Sequence, residues 1–121
     1  MTTVGDYRQT LRRLALRDDQ LIDSVLACED RGIAPPGLDA RSLALVRLGA
    51  LIAVDAAPPS FMSTVDQALR AGVSHDEIVA TLYAAMPVVG APRVVSAAPN
   101  IALALGYDVA AALEAVDVDE A

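Results

Sequence analysis

Apolar residues recur along this chain at intervals of three and four residues, the spacing of one face of an α-helix. In the stretch after Ser74 the apolar positions are Ile78, Val79, Leu82, Ala85 and Met86. Ser74 and Glu77 can form a capping box at the start of this helix. Pro87 should end or kink it, because proline has no amide donor and disfavours helical geometry in the residue before it.

A second helix follows directly. Gly90 and Pro92 indicate a turn with proline in the first turn of the next helix, which should run from Arg93 to Leu105. Gly106 supplies a C-terminal stop, and Pro99 inside the helix predicts a bend.

Five further helices are predicted from the same spacing and from capping residues. Their caps and ends are Asp6 to Leu16, Asp18 to Gly32, Asp39 to about Val54, Ser60 to Gly72 and Asp108 to Glu114. The helix of residues 40–54 is apolar on nearly every side, which predicts a central buried helix. Residues 115–121 should form a frayed, solvated tail. No segment alternates apolar and polar residues as a strand does, so the predicted fold class is all-α with about six to seven helices.

Composition adds a prediction about assembly. The chain has 121 residues, enough for one domain with a sizeable core, and 55% of them are apolar although only 3% are aromatic. The mean hydropathy is +0.43. No charge-free stretch reaches the roughly 18 residues of a membrane helix. We therefore expect the surplus apolar surface to be buried between subunits of a homo-oligomer.

Charge and cysteine content exclude several classes of function. The net charge of −7 makes nucleic acid and anionic membranes poor partners. Cys28 is the only cysteine and no signal peptide is apparent, so we expect a cytoplasmic protein without disulfides. One histidine and no spaced cysteines cannot form a metal cluster, and no glycine-rich phosphate loop is present. We expect neither a metal nor a cofactor.

The candidate ligand-binding residues are mostly polar and uncharged. Ser60 and Thr64 lie in the first turns of the fourth helix, where free amides favour an anion. Arg93, Ser96 and Asn100 share one face of the last long helix, and further contributors are Arg47, Asp55 and Tyr83. Together these groups either hold a small carboxylate, anchored by Arg93 or Arg47, or satisfy one another across a subunit interface. No catalytic residue is assigned.

Three motifs carry a resemblance to a known family. They are Leu38-Asp39-Ala40-Arg41, then Ala68 to Ser74 followed by Asp76-Glu77-Ile78, and finally Gly90-Ala91-Pro92. In order and spacing, the region from 38 to 106 resembles the carboxymuconolactone decarboxylase and alkyl hydroperoxidase D-like family. The resemblance implies an all-helical subunit that assembles into trimers, hexamers or larger rings. Residues 1–37 then form an N-terminal helical extension, and residues 107–121 a short C-terminal helix and acidic tail.

The chain departs from the family at the positions that carry its chemistry. Peroxidase members have a Cys-x-x-Cys pair followed by His, and the corresponding residues here are Ala57, Ser60 and Thr64. The assisting glutamate corresponds to Ala44 or Leu45, and the decarboxylase branch keeps the histidine. Because thiolate chemistry needs a sulfur, peroxidase activity is not expected.

Two functions therefore stay open. One is a thiol-independent lyase or decarboxylase acting on a small, mostly apolar organic acid or lactone. The other is a non-catalytic oligomeric binding or scaffold protein.

Overall fold

A computed structural model describes the backbone of residues 6–120 and the side chains of residues 6–115. Seven helices are present: α1 (Tyr7–Ala15), α2 (Asp19–Asp30), α3 (Ala40–Val54), α4 (Pro58–Arg70), α5 (His75–Val89), α6 (Ala91–Ala104) and α7 (Val109–Glu120). Residues 6–120 contain no β-strand, and the predicted all-α fold class is confirmed.

The chain divides into two compact units, Met1–Asp39 and Ala40–Ala121. The second unit contains the hydrophobic core, formed where α3, α4, α5 and α6 pack against one another. Its buried residues are Ala44, Leu48, Ile52, Phe61, Val65, Ala68, Val73, Ile78, Val94, Ala97 and Ile101. Helices α3, α4 and α6 each contribute three residues that are three or four positions apart, as expected for one buried stripe per helix, and α5 contributes Ile78.

Helix α3 packs against α4, α5 and α6 and is the central helix, as predicted, but a single chain does not bury all of its apolar surface. Ala44, Leu48 and Ile52 are buried, whereas Val46 and Val54 on other sides of the helix are exposed. The reason is geometric, because α4, α5 and α6 cover only part of the circumference of α3.

The first unit is built differently. Within it, neither α1 nor α2 contains a buried residue. The turn between them is held by Arg13, whose Nε donates to Asp18 Oδ2 over 2.7 Å. Asp18 also accepts from the amides of Gln20 and Leu21, the first turn of α2. This hydrogen bonding from Arg13 and the Leu21 amide lowers the pKa of Asp18.

Most predicted helix starts are confirmed. The carboxylates of Asp6 and Asp108 accept from the amides of Gln9 and Ala111, as N-caps do. Ser74 and Glu77 form the complete capping box. These caps depend only on residues within one helical turn, which is why the sequence reveals them.

Ser60 does not cap the fourth helix. Ala57 occupies the N-cap position and α4 begins at Pro58, so Ser60 lies inside the first turn. Two successive prolines fix a backbone angle that suits the first turn, where an amide donor is not needed. The helix therefore starts earlier than a side-chain cap would indicate.

Two helices run past their predicted ends. Helix α5 continues through Pro87 to Val89 and ends at Gly90, whose amide donates to the Met86 carbonyl over 2.9 Å. Pro87 removes one intrahelical hydrogen bond, and the rest of the helix tolerates that loss. Helix α7 continues to Glu120 instead of ending at Glu114, because alanine and leucine at 110–113 favour propagation.

Among the described residues, no helix alone has the length and apolar character needed to cross a membrane. The pair Ala91–Ala104 and Val109–Ala115 meets that criterion only when taken together, across a bend of 92°.

Candidate functional site

Three of the predicted ligand-binding residues meet where the end of α3 faces the start of α6. The Ser96 hydroxyl donates to Asp55 Oδ1 over 2.7 Å. Arg93 Nη1 lies 3.4 Å from Asp55 Oδ2, and the side chains of Arg93 and Asp55 are 48% and 45% exposed. We call these three residues the Asp55 cluster. It combines a carboxylate, a guanidinium and a hydroxyl within reach of solvent.

The backbone at Asp55 is unusual. Its φ is +54°, in the left-handed region that favours glycine. Asp55 directly follows α3, and the next amide, that of Ala56, donates back to the Leu51 carbonyl over 3.1 Å. This closing bond is the Schellman arrangement. Gly72 and Gly106 occupy the same position after α4 and α6. An aspartate here carries a backbone cost that glycine would avoid, and Arg17 adopts the same left-handed conformation after α1.

Neither charge of the cluster suits its own helix. Asp55 lies at the C-terminal, partly negative end of α3, and Arg93 lies in the first turn of α6, at its partly positive end. Helix dipoles disfavour both placements by some tenths of a kcal/mol each. The two charges offset each other only because the fold brings these two helix ends together.

The two contacts of Asp55 differ in quality. The Ser96 bond has a normal hydroxyl-to-carboxylate length, while the contact to Arg93 exceeds the roughly 2.7–2.9 Å of a good guanidinium–carboxylate hydrogen bond. Asp55 is thus held firmly by Ser96 and loosely by Arg93. A guanidinium offers five N–H donors, so Arg93 can engage a second anion beside Asp55.

The other predicted ligand-binding residues lie on several helices. Ser60 is exposed and Thr64 half-buried on α4, and Asn100 is half-buried on α6. Arg47 is half-buried on α3, and Tyr83 on α5 is 72% exposed. A hydrogen bond and an ion pair join three of the eight predicted residues, Asp55, Arg93 and Ser96.

A second charged junction was not among the predicted sites. Arg41, in the first turn of α3, donates through Nη1 to the Gly72 carbonyl over 2.6 Å and through Nη2 to Glu77 Oε2. The other oxygen of Glu77 accepts from the Ser74 amide over 3.1 Å. We call this set the Arg41 clamp. It joins the start of α3, the end of α4 and the start of α5.

Electrostatics at the clamp favour the ionised carboxylate. Hydrogen bonds from Ser74, that of its backbone amide above all, lower the pKa of Glu77, and Arg41 lowers it further. The sequence contains a signal for this pair, because Arg41 and Glu77 each fall within a motif that carries the family resemblance. Their 36-residue separation gives no periodicity from which the contact could be predicted.

An apolar groove lies between α3 and α5. It is wide open to solvent, and its volume of about 540 Å³ is within the range of small-ligand sites. Its lining consists of Leu45, Val46, Gly49, Glu77, Ala80, Thr81, Ala84 and Ala85. None of the predicted ligand-binding residues is in this set. The signal in the sequence was the set of alanines at helical spacing on α5, because such small side chains leave space next to a neighbouring helix.

The single cysteine belongs to the first unit, whereas both junctions belong to the second. Cys28 belongs to α2, is half-buried, and its Sγ lies 3.4 Å from the Ser24 carbonyl oxygen. Ala57, Ser60 and Thr64 belong to the N-cap and first turns of α4. In the part of the chain that the structure describes, no three His, Cys, Asp or Glu side chains are grouped to hold a metal ion.

Comparison with known proteins gives one match. The model of the carboxymuconolactone decarboxylase family matches residues 20–104, which is more than two thirds of the chain. The match begins within α2, ahead of the motifs that start at Leu38. No curated protein and no solved structure matches the chain significantly.

Proposed function

The chain belongs to the carboxymuconolactone decarboxylase family, and from that premise we propose that it binds a small, mostly apolar organic acid or lactone through Arg93. We further propose that it acts on this ligand without a thiol, by lyase- or decarboxylase-type chemistry. The observation that supports the proposal is the Asp55 cluster, which combines an anion-binding group with a proton-transfer group at an exposed junction.

Arg93 is the anchor in this proposal. Its contact with Asp55 is long, at 3.4 Å, and it is half exposed. A ligand carboxylate can approach it from solvent and form two parallel N–H···O bonds, which are stronger than the existing single contact.

Asp55 is the proton carrier. When a carboxylate is lost as carbon dioxide, the carbon–carbon bond breaks and its electron pair stays on the remaining carbon, which must then take up a proton. Arginine stays protonated in proteins, so Asp55 is the group of the cluster that can relay this proton from water. The 2.7 Å bond from Ser96 fixes the orientation of the carboxyl during the transfer.

The experiment is a binding and turnover assay with 4-carboxymuconolactone and its neutral dimethyl ester. The wild-type protein should bind the acid and release carbon dioxide from it, and should bind the ester at least tenfold more weakly. Arg93→Ala should weaken acid binding at least tenfold, because the anchoring charge is lost. Asp55→Asn should retain binding within a few-fold but lose carbon dioxide release.

Arg70→Ala is the matched control. Arg70 also pairs with an aspartate, Asp66 at 2.9 Å, on the exposed side of α4. The Arg70→Ala variant should bind the acid as tightly as the wild type does. Equal binding by wild type and Arg93→Ala would overturn the assignment of the anchor.

A second candidate is a non-catalytic oligomeric binding or scaffold protein. The observation that favours it is the exposed apolar surface of the second unit, where Val46, Val54, Val88 and Val95 are all more than half exposed. Exposed apolar residues mark an interaction surface where they form a contiguous patch of more than a few hundred Å². Light scattering should then give a multiple of the 12.6 kDa subunit mass, with no carbon dioxide release from the lactone acid.

A further inference from the structure

Asn100 lies on the same face of α6 as two members of the Asp55 cluster, Arg93 and Ser96. The three residues are three and four positions apart in one continuous helix, so their side chains project to one side. The contacts of Arg93 and Ser96 with Asp55 show that this side faces the end of α3. These residues all belong to the second unit.

The carboxamide of Asn100 is available to a ligand. Asn100 is half-buried, and its side chain forms no hydrogen bond with any residue that the structure describes. A carboxamide has two N–H donors and an acceptor oxygen, and partial burial restricts their access to water. Polar groups in such a position are stabilised by a hydrogen-bond partner, which a ligand can supply.

The distance from the Asp55 cluster to Asn100 suits a small ring. Asn100 follows Ser96 by about one turn, so about 6 Å of helix axis separates them. Side chains of a helix tilt toward its N-terminus, which inclines the carboxamide toward Ser96 and the cluster. Arg93 and Ser96 contact the same carboxylate. The guanidinium and the carboxamide therefore flank a space about one helical turn long.

The two groups recognise different chemistry. A guanidinium carries a positive charge and binds a carboxylate through two parallel hydrogen bonds. A carboxamide is neutral, and its N–H groups donate to a neutral carbonyl oxygen. In a five-membered lactone that carries a carboxylate, the ring separates the carboxylate from the ring carbonyl. One such ligand therefore reaches both groups at once.

We infer that Asn100 determines the ligand specificity of the Asp55 cluster, by donating from Nδ2 to the ring carbonyl of a lactone whose carboxylate is bound by Arg93. This inference rests on the proposed function and narrows its ligand class to lactones that carry a carboxylate. An acid of the same size without the ring carbonyl gains nothing from Asn100 and binds through Arg93 alone.

The test is a calorimetric binding titration with a matched pair of acids. One is γ-carboxy-γ-butyrolactone, and the other is tetrahydro-2-furoic acid, which has the same ring and carboxylate without the carbonyl. A hydrogen bond between neutral groups contributes up to about tenfold in affinity, so the wild type should bind the lactone acid about five- to tenfold more tightly than the ether acid. Asn100→Ala should bind both acids alike, with its affinity for the ether acid unchanged from that of the wild type.

Gln67→Ala is the matched control, because it removes an exposed carboxamide from α4. This variant should discriminate between the two acids as the wild type does, while Arg93→Ala should bind both acids more weakly. Circular dichroism matching the wild type establishes that each variant is folded.

The results separate the role of Asn100 from the proposed function. If Arg93→Ala weakens both acids, equal affinity of the wild type for the two overturns the role of Asn100 and leaves the anchor in place. Discrimination that survives in Asn100→Ala does the same. Affinities that Arg93→Ala leaves unchanged, or a wild type that binds neither acid, overturn the proposed function and this inference with it.

Discussion

The Arg41 clamp and the Asp55 cluster are both arginine–carboxylate junctions between helix ends, but they differ in how well each charge suits its helix. In the clamp, Arg41 lies in the first turn of α3, where the dipole disfavours a cation, but it binds a carbonyl at the end of α4, and Glu77 lies in the first turn of α5, where the dipole favours it. In the cluster, both charges lie at helix ends that disfavour them, and Asp55 adopts a left-handed backbone.

The contacts within the clamp are also more complete than those within the cluster. The clamp satisfies both oxygens of Glu77 and ties three helices together. In the cluster, the contact of Arg93 with Asp55 is long and half exposed. A junction whose hydrogen bonds are short and complete contributes to stability. A junction with unfavourable helix dipoles and a left-handed backbone is a better candidate for binding, because a ligand can offset those unfavourable interactions.

The largest expected effect is a difference in thermal stability between variants of the two arginines. Arg41→Ala removes hydrogen bonds to Gly72 and Glu77, so it should lower the melting temperature by several degrees. Arg93→Ala removes one long, exposed contact, and such pairs contribute little. Its melting temperature should stay close to that of the wild type. Thermal melts by circular dichroism measure both, and equal losses would show that the junctions do not differ in this way.

The next effect in size is the loss of folding stability at acidic pH. The pKa of Glu77 is lower in the folded protein than in the unfolded chain, mainly through the Ser74 amide. The stabilisation of the folded protein by ionised Glu77 is therefore fully present above the pKa of the unfolded chain, about 4.3. It is lost as the pH falls through the lower folded value.

Glu77→Gln measures this contribution. It should be less stable than the wild type at pH 7, and the difference should shrink as the pH falls below about 4. Denaturant unfolding at a series of pH values gives the curve. A difference that grew on acidification would contradict the sign derived from the clamp.

The smallest effect isolates the backbone of Asp55. Asp55→Gly and Asp55→Ala both remove the carboxylate, but only alanine pays for the left-handed φ of +54°. The glycine variant should be more stable than the alanine variant by about 1 kcal/mol. Chemical denaturation of the two proteins gives this difference directly. Equal stability would mean that the turn after α3 rearranges when the side chain is lost.

Sequence alone determined the helical class, most helix starts and several helix ends. Asp6, Asp18, Ser74 and Asp108 cap their helices as predicted, because each cap bonds an amide two or three residues away. The family was also recognisable, since its motifs are local strings. Predictions near prolines were weaker. Helix α4 starts at Pro58 and is not capped by Ser60, and of the two predicted effects of Pro87, an end or a kink, the end does not occur, because the surrounding helix can absorb one missing donor.

Tertiary structure decided which of the polar residues meet. Asp55 and Ser96 are 41 residues apart and Arg41 and Glu77 are 36 apart, so no spacing rule links them. The sequence placed Arg93, Ser96 and Asn100 on one face, but only the approach of the α3 end to the α6 start gave Arg93 and Ser96 their partner. The groove depends likewise on two helices packing side by side, since small residues form a cavity only where a neighbouring helix supplies the second wall.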